Sequence, residues 1–326
     1  MAYNLSRKVV VLAGIENTYG QNPTLTPASH TIWSFDDLNP AQPDLQLVDR
    51  QPVRGSLTKF GNVVGRSLVN VNPKCVLQGS NAGGTEPYIC RLLRGCGLKA
   101  VSGSSGGSTS RILTPRSDSF ESLAMEVYYE KIKTEVLGCY GTAVIEGNAG
   151  APIDVTFNFK GKYPAGGIVS GSAPVGMVYP PGSRSQMQSE GLSFGSYTQC
   201  LVKSFRLDLG VVLSERPDAN SPYGFAGIII TDRNPKMNIV FEAEDDLSAN
   251  RDFFDLFQDG AMASAVSLTH GSAALGSKIA ITAATPQIRN VQWGENNGLR
   301  TYVVDLDLVS ATDDGEYSIV FTDQGT

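Results

Sequence analysis

Histidine and tryptophan are almost absent, with 2 of each in 326 residues. His30 and His270 are the whole supply of imidazole, and neither sits in a recognisable triad. His270, in Thr269-His270-Gly271, is expected at a strand end in an exposed or capping role. Trp33 and Trp293 give no aromatic shelf for a sugar-binding surface. Cysteine is scarce too: 5 residues, an odd number without a CxxC pair, argue against a disulfide framework. A reducing cytoplasm is the simplest setting for synthesis. Cys90 and Cys96 read as small hydrophobes on a helix. No ligand spacing fits a metal, and no glycine-rich loop ends in Gly-Lys-Ser/Thr, so no cofactor is expected. Long apolar runs are also lacking. Val9 to Ala13 is far too short to cross a bilayer, and nothing after it resembles a leader cleavage site. Charged residues make up 18% of the chain and the net charge is −6, against tight nucleic-acid binding, which needs Lys and Arg to displace phosphate counterions.

Glycine is plentiful, at 35 residues, and favours turns over long helices. One pattern occurs twice. Val63 to Leu77 is an apolar run, then Asn72-Pro73-Lys74, then a second apolar run. Phe225 to Val240 repeats it around Asn234-Pro235-Lys236. The flanks agree. Ile32 to Leu38 upstream matches Leu201 to Leu209. Downstream, the spacing predicts helices over Pro87–Cys96 (Ile89, Leu92, Leu93 and Cys96 on one face) and Asp252–Asp259 (Phe253, Leu256, Phe257), each followed by glycine. Pro87, and Ser248 or Asn250, are the expected starts. The last strands also match, Val155–Phe159 against Tyr302–Leu308. The reading is an arm (1–29), one unit (30–163), a Gly/Pro-rich connector (164–196) and a second copy of the unit (197–326).

Period-two alternation gives strands with one buried and one wet face. Val155, Phe157 and Phe159 oppose Thr156, Asn158 and Lys160. Phe205, Leu207 and Leu209 oppose Arg206 and Asp208. Phe241 and Ala243 oppose Glu242 and Glu244. Tyr302, Val304, Leu306 and Leu308 oppose Val303, Asp305 and Asp307. Asn148-Ala149-Gly150 and Asn296-Asn297-Gly298 read as turns before the last strand of each copy. Ser6 to Gly14 reads as a strand or a docking arm, Pro40 and Pro43 as loop, Ser102 to Ser110 as a mobile loop, and Pro164 to Ser196 as an irregular linker. Charge differs between the copies. Residues 30–163 hold 14 Lys+Arg and 12 Asp+Glu, net +2, and residues 197–326 hold 9 and 18, net −9. That asymmetry favours pairing of unlike copies.

Catalytic signals are weak. Gly103-Ser104-Ser105-Gly106-Gly107 fits G-x-S-x-G, but a nucleophile elbow needs a strand before it and a helix after it, and Ser108 to Thr114 has no helical character. A serine hydrolase is therefore a remote alternative. The acidic runs at Glu242 to Asp246 and Asp313-Asp314-Gly315-Glu316 lack calcium-loop spacing and read as solvated faces.

Val10 to Thr24, with Glu16-Asn17-Thr18-Tyr19-Gly20-Gln21-Asn22-Pro23, resembles the start of the tail tube (major tail) proteins of long-tailed bacteriophages. Leu92 to Gly97, Ile230 to Lys236 and Ser267 to Gly271 resemble segments of the same family. The resemblance covers both copies. It implies a mainly β fold: tandem β-sandwich or barrel-like units, each with one short flanking helix, contributing strands to an oligomeric barrel. It implies a structural virion protein rather than an enzyme, whose rings stack into a conduit for double-stranded DNA. With two copies per chain, a trimeric ring with pseudo-sixfold symmetry is expected, a hexameric ring being the alternative. Implied partners are further copies, the tape measure, the tail terminator and tail-tip proteins. The implied location is the virion tail after synthesis in the bacterial cytoplasm. A conduit wall should not hold phosphates, so Glu242, Glu244, Asp305 and Asp307 are the expected lumen-facing acids. The alternative function is another β-rich virion or surface-binding module.

Overall fold

The computed structural model describes residues 8–34, 41–50, 53, 55–56, 58–79, 86–105, 108–163, 168–178, 186–187, 191–194, 201–221, 224–243, 252–258, 265–271 and 278–322. The chain opens with β1 (Val9–Ile15), α1 (Pro27–His30), β2 (Thr31–Ile32), β3 (Gln42–Val48), β4 (Val63–Val71) and β5 (Lys74–Val76). Then come α2 (Tyr88–Arg94), β6 (Leu98–Ser105), β7 (Ser108–Pro115), β8 (Leu123–Tyr129), β9 (Ile132–Asn148) and β10 (Asp154–Lys162). β11 (Val169–Ser170) and β12 (Gly191–Phe194) precede β13 (Val202–Asp208), β14 (Val211–Pro217), β15 (Phe225–Arg233) and β16 (Lys236–Glu242). α3 (Phe253–Gln258), β17 (Val266–His270), β18 (Lys278–Ala283), β19 (Thr285–Asn296), β20 (Leu299–Val309) and β21 (Ser318–Thr322) complete it.

The fold is mainly β, a sandwich of two large sheets. One runs β19-β20-β16-β13-β9-β10-β4-β3, and the other β12-β17-β18-β21-β7-β6. One apolar core lies between them and includes Phe157, Phe159, Leu207, Ile239, Val304, Ile281 and Phe321. The alternating strands do what their period dictates: Val155, Phe157, Phe159, Leu207 and Val304 are fully buried. α2 caps this core with Ile89, Leu92 and Leu93; it ends at Arg94 with Gly95 as its right-handed cap, earlier than the expected stop at Gly97, whose φ of 82° turns the chain toward β6. Asn297 (φ 52°) and Gly298 (φ 85°) turn β19 into β20 with both residues left-handed, as a tight two-residue hairpin turn requires.

The two Asn-Pro-Lys segments make the same local bond. The Pro73 carbonyl accepts the Phe157 amide at 3.0 Å, and the Pro235 carbonyl accepts the Leu308 amide at 3.0 Å. Around them, β9-β10-β5 and β19-β20-β16 are paired in the same order and sense. β13 joins the two trios, pairing with β16 on one side and β9 on the other.

Several expectations are corrected. Ser102 to Ser110 is strand on both sides, with register from Leu98↔Pro115 to Ser105↔Ser108. Serine and glycine seldom choose a strand unaided, but β21 holds β7 on its other side and supplies the pairing. Ser105 is thus followed by another strand, not the helix of an elbow. Pro43 lies inside β3 opposite Val69; an outer strand tolerates a missing donor. Of the two readings of Ser6 to Gly14, the strand holds: β1 is buried between β2 and β8. The connector contributes β12, whose Leu192 and Phe194 enter the core. Asp252 starts α3 by accepting the amides of Phe254 and Asp255; Ser248 and Asn250 lie outside the described residues. Phe257 is exposed, while Phe254 packs on Trp293 and Tyr302. His270 ends β17 as expected but is buried, because its side chain points to the core side with Val266 and Leu268. Asp314 and Glu316 are not a solvated run: both bind Arg233, at 2.8 Å each.

Candidate functional site

The side of the large sheet away from the core carries a polar grid made by strand register. One row reads Asn290, Asp305, Asn238, Arg206, Glu146, Asp154 across β19, β20, β16, β13, β9 and β10. The next reads Gln287, Asp307, Lys236, Asp208, Val144, Thr156, Lys74, the last on β5. Each residue stands opposite a polar neighbour because the pleat sends alternate side chains to the same face.

Partners fill the grid. Asp305 accepts hydrogen bonds from Asn238 at 2.7 Å and Asn290 at 3.3 Å. Arg206 pairs with Glu146. Lys74 lies 3.2 Å from Asp154, and Arg289 lies 3.7 Å from Asp307. Of the expected acids, Asp305 and Asp307 lie in adjacent rows of β20, and Glu242 ends β16 opposite Thr301. Glu244 lies outside the described residues. Lys74 and Lys236, which mark the repeats, share the second row, and Asn72, Pro73, Asn234 and Pro235 form the bends that lead into it. The expectation named acids alone, but the face also carries Lys160, Arg206, Arg289 and the two marker lysines. Arg206 and Lys160 were readable from the same alternation that revealed their buried neighbours. The pairing of Arg206 with Glu146 was not, since it depends on β13 lying beside β9. Among the described residues, no group of His, Cys, Asp and Glu could hold a metal ion, and no helix is long and apolar enough to cross a membrane.

The N-terminal motif forms a second polar construction. The buried Glu16 carboxylate accepts the amides of Gly20 and Gly138, both at 2.7 Å, and the Ser122 hydroxyl at 2.6 Å. Tyr19 reaches into the second half of the chain, where its hydroxyl accepts the Ile228 amide at 2.8 Å. Its ring stacks on Tyr140 at 6.0 Å, with the Lys162 ammonium 4.7 Å from its centre. Burial pushes the Tyr19 hydroxyl pKa up to about 12. Glycine is required at 138 and 227: a Cβ there would meet Tyr19 at 2.8 and 2.3 Å. Glu16 and Tyr19 thus fasten the first strand to β9 and β15.

A family model described as phage tail tube protein matches residues 6–321, which takes in both polar constructions. No curated protein matches the chain.

Proposed function

The chain belongs to the phage tail tube protein family, and from that premise we propose that three copies close a ring whose polar grid lines a bore for double-stranded DNA. The family is one of structural tail proteins, not of enzymes. The observation that carries the ring is the order β19-β20-β16, β13, β9-β10-β5 within one sheet. One chain supplies two similar wall segments side by side, so a trimer has pseudo-sixfold symmetry. Beyond β5, which pairs with β10 alone among the described residues, the Ser34 hydroxyl donates to the Lys74 carbonyl at 3.0 Å. At the opposite end β19 has β20 as its partner on one side only among the described residues. Closing such ends into a barrel removes edges that otherwise invite aggregation.

Size is consistent with passage. The seven strands of that order and one more beside β5 would make eight per chain and about 24 per ring; at ~4.8 Å spacing and ~40° tilt the circumference is about 150 Å. The diameter is then about 48 Å, and about 38 Å inside the side chains, against roughly 20 Å for a duplex. Electrostatics suits transit. Arg206, Lys74 and Arg289 each face a carboxylate of the same chain, which weakens their hold on a passing phosphate. Stacked rings would meet the tape measure within, the terminator above and the tail-tip proteins below. Electron microscopy of the purified chain tests the reading. Long filaments with an open centre are expected, and discrete closed oligomers at all concentrations would refute it.

A further inference from the structure

The β14–β15 ribbon packs on the first half of its own chain. Phe225 and Ile228 of β15 are buried against Leu68 and Tyr140, with Phe120, Leu213 and Ile230 around them. Near the ribbon's tip, Glu215 pairs with Arg66 of β4, and a Cβ on Gly224 would sit 3.8 Å from the Arg66 backbone.

The β3–β4 ribbon has the same place in the first half, since each ribbon's second strand leads into Asn-Pro-Lys. Its surroundings differ. β4 pairs with β10 only over Leu68–Val71. Outward from there, β3 and β4 pair with each other, Leu45↔Ser67, Leu47↔Val64 and Val48↔Val63. These pairs put apolar side chains on both faces of a two-stranded ribbon, and Leu47 is 60% and Val64 54% exposed. A lone ribbon of this kind is marginal in water, and an apolar surface on both faces needs cover.

We propose that the β3–β4 ribbon docks on the second half of a neighbouring copy of this chain, as β14–β15 docks on the first half within one chain. The proposal rests on the ring reading above and names the contact that closes it. The offset of 162 between Asn72 and Asn234 maps Leu68 onto Ile230 and Ser67 onto Ile229. The receiving surface is therefore the base of the neighbour's β14–β15 ribbon. Val212 and Ile229 are exposed there. Charge favours this occupant: the half bearing the β3–β4 ribbon is net +2, and the half receiving it is net −9. Every ribbon around the ring then lies on the half-unit beside it, alternately within and between chains.

Two experiments on the full-length chain test this. In the first, Leu47→Asp with Val64→Asp is compared with the unchanged chain by circular dichroism, thermal melting and light scattering. These side chains lie outside the core, so the variant should melt within a few degrees of the parent yet lose assembly at least tenfold in concentration dependence. A variant that assembles like the parent overturns the proposal. In the second, Val64→Cys is combined with Ile229→Cys and treated with a short bismaleimide. Covalent products ending at three chains are expected only when both introduced cysteines are present, with the parent chain and its five native cysteines as the blank. Tubes that form without cross-links overturn the ribbon contact and leave the tube reading intact. An unlimited ladder overturns the placement within one ring. A parent chain that never assembles overturns the tube reading and this proposal together.

Discussion

Glu16 receives hydrogen bonds from the buried Gly138 amide and Ser122 hydroxyl and from the half-buried Gly20 amide, so its removal strands donors as well as losing an acceptor. Glu16→Gln keeps the shape but turns an amide toward those donors, and should cost about 3 kcal/mol in urea unfolding. A loss below about 0.5 kcal/mol would show that the motif is not a structural fastener. Glu126 gives a pH signature. It is buried, which alone would raise its pKa, but hydrogen bonds from Lys133 (2.5 Å), Tyr128 (2.6 Å) and Asn22 (2.9 Å) outweigh burial and hold it below the ordinary value. The unfolded chain therefore binds this proton first as pH falls. The contribution is complete above about pH 4.3 and disappears as pH drops through the folded value. Glu126→Gln should flatten the acid limb of stability against pH; an unchanged limb would rule the residue out as a contributor.

At the scale of elements, α2 and the β19–β20 turn show two different dependences. α2 is held by burial: Leu92 is fully enclosed among core side chains, and Leu92→Ala should cost about 2–5 kcal/mol, measured by denaturant midpoint. The turn is held by backbone conformation. Gly298 has open space around it, so Gly298→Val meets no clash and acts through its φ of 85° alone. It should cost about 1–3 kcal/mol. If both substitutions were silent, the assignment of cause at each element would be wrong. The β6–β7 hairpin is the contrary case. Its glycines and serines resemble loop, and the strands exist because β21 bonds to β7.

At the scale of the molecule, the large sheet crosses from one half of the chain to the other through β13, and a single core runs beneath both halves. The conduit reading makes its wall a functional surface rather than a solvated one. Replacing Glu242, Glu244, Asp305 and Asp307 together by Lys would leave the grid with unpaired cations, because Asp307 faces Arg289 and Asp305 binds two asparagines. Particles built with this variant should assemble but release DNA more slowly, with the deficit shrinking as salt rises. Normal delivery at low salt would remove these four residues from the lumen.

Alternation, Asn-Gly turns and the i, i+3, i+4 spacing were sufficient in the sequence to place β10, β13, β16, β20 and the two helices α2 and α3. Those signals are local: the side-chain period is set by backbone geometry, and the buried face must be apolar wherever the strand ends up. The family likeness was legible too, in Glu16 to Asn22, although not the reason for it. Only the tertiary structure decided that Glu16 binds Gly138, that β13 bridges two trios, that Ser102 to Ser105 is strand and that His270 is buried. Each of these depends on which distant backbone lies alongside, and hydrogen bonding and burial between segments far apart in the chain leave no periodic trace in either segment alone.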